Sequence, residues 1–274
     1  MSTTSASAGP GTGAAGGSVR RMGSLARAEA LLLRRNPVAL LNAFVGPLAA
    51  VLLLGALPRT GADPESGAGI VATMTAVTLL SVVYYNLVTA LVARREELVL
   101  KRLRSGQLGD AEILAGAAAP GIAIAWMQVV VAVAAGFLVF GMGAPVNPVL
   151  VLTGVLAGTA VFVLLAAAST AMTRSVEMAQ ISTMPVVIVS LVLGGLPFPL
   201  DVWPEPLQLL ARLLPMTRVT ELVQLGLTGT TTAGNSVAGL ATFGEAAPAL
   251  LVLVLWIVLG FLGYRRWMRW EPRR

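Results

Sequence analysis

The sequence contains no cysteine and no histidine. The first absence excludes disulfides, thiol nucleophiles and thiolate metal ligands, and the second removes imidazole as an acid–base group or metal ligand. Charge is sparse too: Asp, Glu, Lys and Arg make up 12% of the 274 residues, while 56% are hydrophobic. A water-soluble domain carries about 25% charged residues, so the surplus apolar surface has to face lipid rather than a water-bounded core. Lysine is nearly missing, with Lys101 standing against eighteen arginines, which reads as GC-rich coding rather than as a functional signal. No G-x-x-x-x-G-K-[ST] loop is present to cradle nucleotide phosphates; Lys101 stands in Leu-Lys-Arg-Leu with no glycine loop before it. The chain therefore cannot bind ATP in that manner, and no cofactor is expected on it. The net charge of +6 does not point to nucleic acid, because the basic residues lie at the ends of apolar runs, where membrane topology requires them.

What is present is a series of uncharged runs. A spanning helix needs about 20 mostly apolar residues. Residues 36–58, 66–93, 178–200 and 246–264 each lack Asp, Glu, Lys and Arg, and residues 113–173 form 61 uncharged residues in a row. That last run is too long for one span, and the Gly-Met-Gly-Ala-Pro-Val-Asn-Pro stretch at 141–148 divides it. The expectation is an all-α membrane protein with six spans, near 37–57, 69–93, 113–140, 148–173, 176–195 and 246–267. Pro120 and Pro185 are expected to kink the third and fifth. Residues 1–18, built of Ser, Thr, Ala and Gly with one Pro, are expected to be a disordered tail rather than a signal peptide, with residues 19–274 forming the membrane domain.

Arginine placement orients the spans. Sixteen Lys and Arg residues fall on the side of both termini and three (Arg59, Arg212 and Arg218) on the other, which puts both ends in the cytoplasm. Residues 19–35, with Arg27, Arg34 and Arg35 among apolar groups, suit a helix lying in the membrane interface. A plain basic juxtamembrane segment is the alternative. Between the last two spans, residues 195–245 are Pro-rich and then amphipathic, with Leu207, Leu209, Leu210, Leu213 and Leu214 around Arg212, and Val219, Leu222 and Val223 around Arg218 and Glu221. This reads as two short outer helices lying in, or dipping back into, the outer leaflet, with Trp203 at the interface and Trp267 and Trp270 marking the inner one.

No span carries an ionisable side chain in its interior, whereas ion-coupled transporters place such groups near the midplane. The cytoplasmic loop at 94–112 mixes Arg95, Glu96, Glu97, Lys101, Arg102 and Arg104 with Leu98, Leu100 and Leu103, as in a short amphipathic docking helix; a charged connector obeying the positive-inside rule is the alternative. Asp110 is the expected cap of the third span, with Glu112 in its first turn. The polar residues Tyr84, Tyr85, Asn86, Gln128 and Gln180 are either glue between helices or a polar track for an amphiphilic substrate. Gly154 and Gly158 permit close helix approach.

Four features together resemble the membrane subunit of ABC-2 type exporters: Arg35-Asn36-Pro37 leading into a first span with Gly46-Pro47; Arg95-Glu96-Glu97 followed by Leu100-Lys101-Arg102-Leu103; Pro185 followed by Gly194-Gly195-Leu196-Pro197-Phe198-Pro199-Leu200; and Trp203-Pro204-Glu205-Pro206-Leu207 followed by Leu214-Pro215-Met216-Thr217. Ser105-Gly106 departs from the family's usual Thr-Pro after the basic loop, and Gly194-Gly195 from its usual Ser-Gly. The resemblance covers residues 20–268. It implies two permease subunits, as a homodimer or heterodimer, and two ATPase subunits that carry ATP and magnesium. The ATPases would dock on the interfacial helix and on the loop holding Arg95, Glu96, Glu97, Lys101, Arg102 and Arg104. The outer segment with Pro197, Pro199, Trp203, Pro204 and Pro215 would cap an outward exit. The expected setting is a bacterial plasma membrane, and the expected cargo is hydrophobic or amphiphilic, of multidrug or antibiotic type, with polysaccharide or lipid export as the alternative. An ion-coupled transporter and a non-transporting membrane scaffold are the readings from other classes.

Overall fold

The computed structural model describes residues 64–98, 109–173, 175–194, 203–231 and 234–268, together with Ala49 and Leu53, both helical. The described residues are helical throughout, apart from turns and one isolated antiparallel bridge between Thr230 and Ser236. Five helices are long and apolar enough to cross a membrane: α1, Pro64–Glu96; α2, Asp110–Phe140; α3, Pro148–Ser169; α4, Val176–Leu193; and α7, Ala241–Trp267. Two short helices, α5 (Glu205–Leu213) and α6 (Pro215–Thr228), lie between α4 and α7. The expected first span, 37–57, falls outside the described residues apart from Ala49 and Leu53, and so does the interfacial segment with Arg27, Arg34 and Arg35.

Several helices run further than their uncharged cores. α1 takes in Glu65, Arg94, Arg95 and Glu96, α2 starts at Asp110, and α7 includes Glu245, Arg265 and Arg266. Charge at a helix end is tolerated because long side chains reach the interface, so counting uncharged residues undershoots the helix. α2 is capped differently from expectation. Its N-cap is Gly109, whose N–H donates to Glu112 Oε2 at 2.9 Å, while Asp110 is already helical. α3 starts on Asn147, which accepts from Leu150 N at 3.3 Å and is followed by Pro148 at the first helical position. α2, α4 and α7 continue through Pro120, Pro185 and Pro248. α1 contains a π-helical stretch, Leu79–Tyr85, after which the Asn86 N–H donates to Ser81 O.

α3 is the centre of the bundle, packed on α6, on α7 and on the π-helical stretch of α1. Small residues set these contacts. A Cβ on Gly158 would stand 2.7 Å from Val219 Cγ2 and 2.9 Å from Leu79 Cδ1, and one on Gly154 would stand 3.1 Å from Leu222 Cβ. The glycine pair is thus used inside the chain, between α3 and α6. Further along, a Cβ on Gly260 of α7 would meet Leu164 Cβ of α3 at 2.9 Å. At the end where α3 begins, Asn147 N donates to Gly226 O at 2.9 Å and Val146 N to Leu227 O at 3.3 Å, fixing the end of α6 level with the start of α3.

Candidate functional site

Leu214 joins α5 to α6 with φ −74° and ψ 137°, the extended conformation that a following proline imposes, and Pro215 then opens α6. The result is a helical hairpin with its elbow at Leu214–Pro215. Trp256 of α7 donates its indole N–H to Leu213 O at 2.7 Å, satisfying a carbonyl at the end of α5. α6 is buried on one side by Met216, Val219, Leu222 and Val223, whereas Leu209, Leu210 and Leu213 of α5 are exposed. Of the expected outer residues, Pro215 is buried at the elbow, Trp203 is half-buried with its carbonyl accepting from Gln208 Nε2 at 2.8 Å, and Pro204 is exposed. Pro197 and Pro199 lie outside the described residues.

Two unlike cavities touch α6. One is an apolar pocket of about 440 Å³ between α2 and α3, where Trp126, Phe137, Pro148 and Leu152 are among the lining residues and Leu227 is the contribution of α6. The other is a polar cleft of about 320 Å³ bounded by Arg212, Arg218, Glu221, Leu225, Thr231, Asn235, Glu245 and Pro248. Arg218 Nη1 donates to Glu221 Oε2 at 2.5 Å and its Nε donates to Arg212 O. Neither the Arg212 guanidinium nor the Glu245 carboxylate meets a hydrogen-bonding or charged partner among the described residues. Sequence reading placed these four charged residues in an outer loop and its borders; the i,i+3 spacing of Arg218 and Glu221 was the only signal that two of them would pair.

At the opposite end of the bundle Arg95 is 1% exposed. Its Nη1 donates to Thr170 O at 2.9 Å, and Nη2 donates to Thr173 O. These carbonyls lie at the C-terminus of α3 and in the turn to α4, where orphan C=O groups and the negative end of the helix dipole favour a cation. Arg95 therefore ties the end of α1 to the turn between α3 and α4, while Glu96 and Glu97 beside it are exposed. Lys101, Arg102 and Arg104 lie outside the described residues.

The five polar residues read as helix glue or a polar track line neither cavity. Tyr84 is buried against Phe162, ring centroids 6.5 Å apart, with its hydroxyl 3.2 Å from Ser169 Oγ. Tyr85 and Gln128 are half-buried, and Asn86 and Gln180 are exposed. Hydroxyls unremarked in the sequence hold the helices together instead: Trp126 Nε1 donates to Thr159 Oγ1 at 3.1 Å, and Asn147 Nδ2 donates to Thr242 Oγ1 at 2.9 Å.

Five apolar helices of spanning length define a multi-pass membrane protein. The model of the ABC-2 type transporter family matches residues 20–227, and the chain belongs to that family, whose members are membrane components of ABC transporters. Comparison with curated proteins gives no match.

Proposed function

We propose that this chain is the permease subunit of an ABC exporter, moving a hydrophobic or amphiphilic substrate outward on ATP hydrolysed by a separate partner. The observation that carries the reading is the reach of the family match. It runs from residue 20 through 227 and so takes in both the basic loop after α1 and the α5–α6 hairpin. Two permeases and two ATPases make up the assembly, in a bacterial plasma membrane with both termini in the cytoplasm. A drug- or antibiotic-like amphiphile is the leading cargo, with a lipid or lipid-linked saccharide as the alternative.

In this orientation the Asn147 end is outside and the Arg95 end inside. The hairpin is re-entrant. Gly260 packs at Leu164, sixteen residues into α3, and Trp256 lies one turn nearer the outer end, so its bond to Leu213 O falls about 18 Å below the start of α3. Counting back along α6 from Gly226, which is level with Asn147, puts Pro215 about 16 Å deep. Both values are close to half of a hydrocarbon core of about 30 Å. The docking surface is the cytoplasmic loop that carries Glu96, Glu97, Lys101, Arg102 and Arg104 in sequence, of which Glu96 and Glu97 are exposed; Arg95 ties the end of α1 to the α3–α4 turn.

Purification in mild detergent, with each stoichiometric companion identified by mass spectrometry, tests the proposal. A soluble subunit carrying G-x-x-x-x-G-K-[ST], whose ATPase activity rises on reconstitution with this chain, is the expected result. Recovery of the membrane chain alone, under conditions that keep a reference ABC complex intact, overturns it.

A further inference from the structure

A guanidinium near the middle of the hydrocarbon is costly unless water or an anion accompanies it, and such groups mark the paths of polar ligands. Arg218 already has Glu221 and a carbonyl. Arg212, beside the elbow, has neither, and it faces the same cleft as Glu245. Glu245 lies eleven residues before Trp256 on α7, about 16 Å along the helix, so its carboxylate sits at the mouth of the cleft and the Arg212 guanidinium at its floor, each without a partner among the described residues. Thr231 and Asn235 add neutral hydrogen-bonding groups at the mouth. One cation at the floor and one anion at the mouth complement a ligand with the reverse polarity.

We propose that the cleft between the α5–α6 hairpin and the first half of α7 binds the zwitterionic headgroup of an amphiphile. Its anionic group, a phosphate or carboxylate, sits on Arg212, and its ammonium points outward to Glu245. Guanidinium suits the anion because its planar donors pair bidentately with carboxylate or phosphate oxygens. The Arg218–Glu221 pair keeps the intervening wall polar without adding net charge. The apolar tail of the ligand lies outside the cleft, against the exposed Leu209, Leu210 and Leu213 of α5. The proposal rests on the re-entrant placement of the hairpin in the reading above, and it names the substrate class or bound lipid that this placement serves.

The test uses the purified full chain without any ATPase, so that failure here leaves the transporter reading standing. Short-chain phosphatidylethanolamine and phosphatidylglycerol are titrated onto delipidated protein, with binding read by native mass spectrometry. The ethanolamine lipid is expected to bind roughly tenfold more tightly, the size of one charge-assisted contact. Arg212→Gln should weaken both lipids by a similar factor, and Arg212→Lys should restore much of the loss. Glu245→Gln should remove only the preference for ethanolamine. Equal affinities in the wild type, or a preference indifferent to both substitutions in variants whose thermal unfolding matches the wild type, overturn the site. Adding the partner ATPase in vesicles then separates the two sources of the headgroup. ATP-dependent appearance of the amine at the outer surface makes the ligand cargo, static retention makes it a resident lipid, and either result upholds the site.

Discussion

The indole N–H of Trp256 lies 2.7 Å from the carbonyl oxygen of Leu213, which joins the middle of α7 to the elbow of a hairpin 43 residues earlier in the chain. The bond answers a carbonyl that α5 leaves without a helical partner, at a place where the chain turns back on itself.

Trp256→Phe keeps the ring but deletes the donor. Interhelical hydrogen bonds in membranes contribute about 0.6 kcal/mol on average, so only a modest fall in the thermal unfolding midpoint is expected. The larger effect should be positional. The chain has no cysteine, so a single Leu213→Cys can be probed with a charged, impermeant thiol reagent. Labelling from outside should be faster when Trp256→Phe is added, and equal rates in the two backgrounds would show that the indole does not hold the elbow.

Gly158→Val places new atoms where a Cβ alone would already stand 2.7 Å from Val219 Cγ2. Overpacking of this kind costs about 1–3 kcal/mol. Lower yield and a lower unfolding midpoint are expected, with partial recovery when Val219→Ala is combined with it. Absence of any recovery in the double variant would point to α1, through Leu79, as the clashing partner.

Arg95 and Glu96 are neighbours with opposite surroundings, the first buried and the second exposed. Arg95→Ala removes the guanidinium from the Thr173 carbonyl and leaves the Thr170 carbonyl with only its bond from Thr173 N, at a cost of about 2 kcal/mol, and should lower the unfolding midpoint clearly. Glu96→Lys should leave that midpoint unchanged and reduce stimulation of the partner ATPase. Matching melting curves for Arg95→Ala and the wild type would remove Arg95 from its structural role.

Tyr84→Phe deletes a single hydroxyl contact to Ser169 and keeps the ring against Phe162. A loss below about 1 kcal/mol is expected. Tyr84→Ala leaves a cavity in the bundle and should cost about 3–5 kcal/mol. Chemical denaturation of the two variants side by side measures the ratio.

Where the sequence was read well, one side-chain property acting locally was enough. Apolar runs of spanning length marked α1 to α4 and α7, the amphipathic stretch around Arg212 and Arg218 marked two short helices, and the quoted motifs pointed to the family that the match then showed. Reading failed where a side chain's meaning depends on a distant partner. Arg95 looked like a surface charge because its neighbours are charged, yet its guanidinium is closed by carbonyls 75 and 78 residues away. For Tyr84 the sequence left helix glue and a polar track both open, and the contact that makes it glue, to Ser169, lies 85 residues away.

The sequence by itself determined that the chain is a multi-pass membrane protein, where the five spans among the described residues lie, and which family it belongs to. Hydropathy and charge act residue by residue against a solvent of known thickness, so these properties need no knowledge of the fold. Only the tertiary structure decided that the hairpin elbow packs on the middle of α7, which glycines meet which helices, and that Arg212, Arg218, Glu221 and Glu245 share one cleft. Those outcomes depend on register between helices far apart in the chain, set by close contacts such as Gly158 on Val219 and Trp256 on Leu213. No local pattern encodes that register.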